Sequence, residues 1–192
     1  MNRLRANSLT LLGSNAGTAA LAFVLSALIG RALGESGLGI YATALAWTFP
    51  LAIVADFGLA TLITRDVAAD LTRASTYLIA SIRARLILGG GLAGFLLVTA
   101  PLLSSDHTVV QGIRLSAPLV LIMPLFGAFT ALFRAHRVMW PVALLNVGML
   151  AAQVALTAAV FVLGGEVLDA LAVNVLTSTG QLVAAWVIYR GR

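Results

Sequence analysis

The chain has 192 residues, of which 60% are hydrophobic and only 10% charged, and its mean hydropathy is +1.02; a water-soluble globule of this size could not hide so much apolar surface. Its formal charge of +5 comes from twelve arginines and no lysine, but they lie between apolar runs rather than on a polar face with interleaved aromatics, which excludes a nucleic-acid partner. Cysteine is absent, and with it any disulfide framework or thiolate metal site.

An apolar run of about 20 residues crosses the roughly 30 Å hydrocarbon layer as a helix. Six such runs predict an all-α, polytopic membrane bundle. The first covers about 8–30, too long for a signal-peptide core and followed by more spans, so it reads as a retained helix. The second, about 38–63, follows a glycine-rich stretch and holds one carboxylate, Asp56. A mixed segment, about 69–85, places Leu71, Tyr77, Leu78 and Ile82 at helical spacings and predicts an amphipathic surface helix. The remaining spans cover about 86–103, 115–133, 138–164 and 168–189, leaving the whole of 1–192 as one six-helix lobe.

Ten of the twelve arginines fall at the two termini and in the loops after spans two and four. Basic loops stay cytoplasmic, so both termini are expected there, and the chain in the inner (cytoplasmic) membrane. Pro50, Pro118 and Pro124 predict kinks in spans two and four. Gly13 with Gly17, Gly90 with Gly94, and Ala151 with Ala155 predict close helix packing.

An acid within a membrane helix such as Asp56 is expensive and commonly marks a substrate or ion path, though it can also be held by a structural arginine partner such as Arg65. Asn15 and Thr18 are three apart, and Asn146–Gln153 and Asn174–Gln181 are each seven apart, about two helical turns, so each pair shares a face. Such faces either line a polar path or hold helices together by hydrogen bonds. Histidines 107 and 136 fall in loops on opposite sides and cannot form one metal site or catalytic pair. No nucleotide, nucleophile or metal motif is present, so neither an enzyme nor a cofactor is expected.

Arg31-Ala-Leu-Gly34, Gly37-x-Gly39-x-Tyr41-Ala42, Ala55-Asp56-Phe57-Gly58-Leu59 and Thr64-Arg65-Asp66-Val67-Ala68 occur in that order, and Phe133-Arg134 closes span four. Together they resemble the N-terminal lobe of Wzx-type polysaccharide-biosynthesis flippases, of the multidrug/oligosaccharidyl-lipid/polysaccharide exporter superfamily. The resemblance implies movement of a polyprenyl-diphosphate-linked oligosaccharide across the membrane by alternating access, through a cavity with charged and polar lining. It places Asp56, Arg31 and Arg65 in matched motifs, with Asn15 beside them and arginine suited to the diphosphate. That family has two lobes and this chain offers one, so a second six-helix lobe or a homodimer partner is expected. The competing expectations are a multidrug or peptidoglycan-precursor exporter of the same architecture, and a non-transporting scaffold in a polysaccharide-assembly complex.

Overall fold

A computed structural model describes residues 2–191, with side chains from residue 12 onward. The first element, α1 (Asn2–Asp56), is broken at Gly34, whose φ of 70° and ψ of −170° belong to backbone that essentially only glycine adopts. Were the arms on either side collinear, Thr18 and Phe49 would stand about 46 Å apart at 1.5 Å per residue. Both line one cavity, so the chain reverses at Gly34 and the arms, 2–33 and 35–56, run back along each other.

After the second arm come α2 (Leu59–Ala69), a 3-10 turn at Leu71–Arg73, and α3 (Ala74–Leu103). The chain then continues through α4 (His107–Ser116), α5 (Leu119–Ala135), α6 (Trp140–Val162) and α7 (Val167–Arg190). Among the described residues five segments are long and apolar enough to cross a bilayer, the first being the broken one. The protein is therefore an all-helical, multi-pass membrane protein, and lipid is its solvent.

Several expected boundaries shift, each for a local reason. The second expected span is interrupted at Phe57–Gly58, which both take positive φ (45° and 74°), and helix resumes as α2. The expected surface helix over 69–85 is not separate: from Ala74 onward it is continuous with the third span in one helix of 30 residues. Span four is divided by Ala117–Pro118 into α4 and α5, as proline's missing donor predicts, whereas the helices run on through Pro50 and Pro124.

Helix ends are closed by their own side chains. The Asp106 carboxylate accepts from the Thr108 and Val109 N–H groups, and Glu166 with Asp169 forms a capping box at the start of α7. In the loop before α3, hydrogen bonds from the side chain and then the backbone of Thr72, with Arg73 adding its charge, hold the Asp70 carboxyl below the usual carboxylate range.

Two apolar clusters hold the bundle. One joins both arms of α1 to α3, α4 and α7 around Leu25, Ile29, Ile113 and Leu171. The other joins α2, α5 and α6 to the near ends of α3 and α7 around Ile63, Val67, Phe133 and Leu145. Lipid tails are as apolar as leucine, so close packing rather than expulsion from water selects these contacts. Helices α3 and α5 approach closely at Gly89, where an added Cβ would meet the Leu121 backbone at 3.3 Å. Of the expected small-residue pairs, Gly17 packs against α6, a Cβ there standing 3.6 Å from Val147 Cγ2, whereas Gly13, Gly90 and Gly94 face open space and Ala151 and Ala155 are exposed.

Candidate functional site

A cavity of about 460 Å³ lies between the two arms of α1 and helices α5, α6 and α7. Seven-residue spacing brings Asn146 and Gln153 of α6 to one wall, and Asn174 and Gln181 of α7 to another. Tyr41, from the second arm of α1, stands between them. Its hydroxyl accepts from Gln153 Nε2 at 3.0 Å and from Asn174 Nδ2 at 3.3 Å. Ser178 Oγ donates to Asn174 Oδ1, and Gln181 Nε2 donates to Asn146 Oδ1 at 3.0 Å and to the Leu145 carbonyl. Gln153 and Asn174 are only 2% and 6% exposed, so these amides are fixed by their bonds rather than free in water. The rest of the wall is mostly apolar, with Phe49, Phe126, Met123 and Met149 prominent, and among the described residues no lining residue is charged.

The cavity is therefore polar without charge, where the resemblance implied a charged lining. Of the residues expected there, Asn146, Gln153, Asn174 and Gln181 meet in it with Thr18, but Asn15 is exposed and does not line it. Arg31 and Arg65 are exposed too, and neither reaches the cavity. Arg65 donates from Nε to its neighbour Asp66 at 2.8 Å.

Asp56 pairs with a different arginine. Arg85 Nε and Nη2 both donate to Asp56 Oδ1, Nε at 3.1 Å, while Nη1 donates to Ser81 Oγ. Arg85 is wholly buried and the Asp56 side chain is 26% exposed. Hydropathy had assigned Arg85 to a basic loop; it lies inside α3, on the face that also buries Leu78, Ser81 and Gly89. Asp56 Oδ2 further accepts from the Ala60 N–H at 3.4 Å, bridging the Phe57–Gly58 break to α2. Asp56 thus bonds to both α2 and α3, and it lies beside α5, where a Cβ added at Gly127 would stand 3.5 Å from Oδ1. It sits two turns, about 10 Å, beyond Phe49 on the second arm, beside the cavity rather than in it. The signal for Arg85 is its register with Leu78 and Ser81, two turns and one turn earlier, which a helix continuing into span three would bury.

Among the described residues no cluster of three or more histidines or carboxylates could hold a metal. His107 opens α4 and His136 closes α5, at opposite ends of one pass.

The chain is thus a helical, multi-pass membrane bundle with an amide-lined cavity between its helices. The chain belongs to the Polysaccharide biosynthesis protein family, which it matches over residues 4–192. Its fold is similar to that in a crystal structure of MATE in the straight conformation, with a TM-score of 0.83 at 18% identity. That match covers 96% of this chain and 44% of the other, so this chain spans less than half the length of the protein it resembles. No curated protein matches it.

Proposed function

We propose that this chain is one lobe of an exporter that moves a polyprenyl-diphosphate-linked oligosaccharide from the cytoplasmic to the outer leaflet of the cytoplasmic membrane, by alternating access and without enzymatic chemistry. The observation that supports this reading most directly is the cavity. A binding site for a small organic group is concave, mostly apolar, and carries a few fixed polar groups, and Tyr41, Gln153 and Asn174 are such groups in a polysaccharide-biosynthesis chain. The 44% coverage of the MATE chain fits a second lobe closing the cavity from the other side, supplied by another copy or by a further six-helix unit.

The test is made in cells that depend on the protein for surface glycan. Its removal is expected to strand lipid-linked oligosaccharide on the cytoplasmic leaflet. The wild-type chain should restore export, and Asn174→Leu should not, although it inserts in the membrane. Export of lipophilic cations that depends on this chain, with glycan distribution unchanged, would replace this reading with drug efflux.

A further inference from the structure

The chemistry left over in the cavity distinguishes the parts of a lipid-linked glycan, and from it we infer that this lobe holds an uncharged sugar ring while the diphosphate is bound elsewhere. The inference rests on the glycan reading above and deepens it.

The hydrogen bonds among the wall residues do not exhaust them. With Gln153 Nε2 on Tyr41 and Gln181 Nε2 on Asn146, the Oε1 acceptors of both glutamines take no bond among the described residues. Asn146 Nδ2 likewise remains as a donor, and the Tyr41 hydroxyl, which accepts twice, keeps its proton to give. The wall therefore offers both free donors and free acceptors. A sugar hydroxyl is both donor and acceptor and satisfies such a mixture. An ionised diphosphate only accepts, so it would leave both glutamine carbonyls facing negative oxygen, and among the described residues no arginine lines the cavity to offset its desolvation. A lipophilic cation would find the glutamine carbonyls and the rings of Phe49 and Phe126 but no carboxylate among the described lining residues, and it would leave the Tyr41 hydroxyl and Asn146 Nδ2 donors unpaired, which a sugar hydroxyl would not. Phe49 and Phe126 also line the cavity, and the face of an aromatic ring is a negative surface that suits the C–H edges of a pyranose.

Direct binding tests this, because export would mix it with the function itself. The full chain in lipid nanodiscs would be presented with a panel of neutral pyranosides, the corresponding uronic acids, and geranyl diphosphate, with saturation-transfer NMR as the readout. Neutral sugars are expected to give the signal. Gln181→Met, which keeps the side-chain volume on a half-buried position, should weaken it about tenfold, one lost hydrogen bond's worth. Asn146→Ala should do the same if Gln181→Met alters the thermal transition. Binding of uronic acids or geranyl diphosphate with equal affinity and equal sensitivity to these substitutions would overturn the assignment. So would silence from every sugar. Neutral-sugar binding in a chain that fails to restore export would leave the site standing and sink the flippase reading instead.

Discussion

Asp56 and Arg85 are each other's condition for being where they are. A wholly buried guanidinium is tolerated only while its charge is met, and Asp56 meets it with help from Ser81. Removing one partner leaves the other charge uncompensated; removing both leaves an apolar contact. Asp56→Ala should therefore lower stability by about 3–5 kcal/mol, and the double variant Asp56→Leu/Arg85→Met by markedly less. Thermal unfolding in detergent measures the difference. Equal losses in the single and double variants would show that the pair is not coupled. The partnership also marks where sequence reading stopped. That Asp56 needs a cation followed from its place in an apolar run, but which arginine supplies it depends on packing α1 against α3 across 29 residues of sequence. Arg65, close in sequence, was the natural expectation, yet it lies beyond the Phe57–Gly58 break and faces outward beside Asp66. The amides of α6 and α7 were legible because a seven-residue spacing is a property of one helix alone.

At the scale of elements, the glycine at position 34 decides the topology. An alanine there must adopt φ near +70° with extended ψ, a region closed to Cβ-bearing residues, at about 1–3 kcal/mol. Gly34→Ala is expected to lower the unfolding temperature and to loosen the two arms around the cavity, raising hydrogen exchange at residues 30–40. Unchanged exchange there would mean that the reversal does not depend on this backbone conformation. Helix identity was readable from apolar length, but helix boundaries were not. Hydropathy separates 69–85 from the span that follows, whereas the backbone sees no reason to stop between Ala74 and Leu103. Prolines misled in the same way: Pro118 divides a pass, while Pro50 and Pro124 sit in continuous helix, and the sequence alone does not distinguish them.

For the whole molecule, the proposed orientation puts both termini and the arginine-rich turns in the cytoplasm. The chain lacks cysteine, so single cysteines report it without background. Ser105→Cys, in the turn between α3 and α4, should react with a membrane-impermeant maleimide in intact cells. Arg73→Cys, at the other end of α3, should react only after permeabilisation. The reverse pattern would invert the lobe and turn the Asp56 end outward.

The most direct test of the account is translocation in a sealed membrane. Proteoliposomes holding the assembled protein and a lipid-linked oligosaccharide, prepared with the glycan lipid on one leaflet, are probed with an impermeant glycosidase. The account predicts that glycan crosses in the presence of the wild-type chain, and that crossing slows at least tenfold with Gln153→Leu or Asn174→Leu in folded protein. Crossing at the rate of protein-free liposomes, or at full rate in both variants, would contradict it.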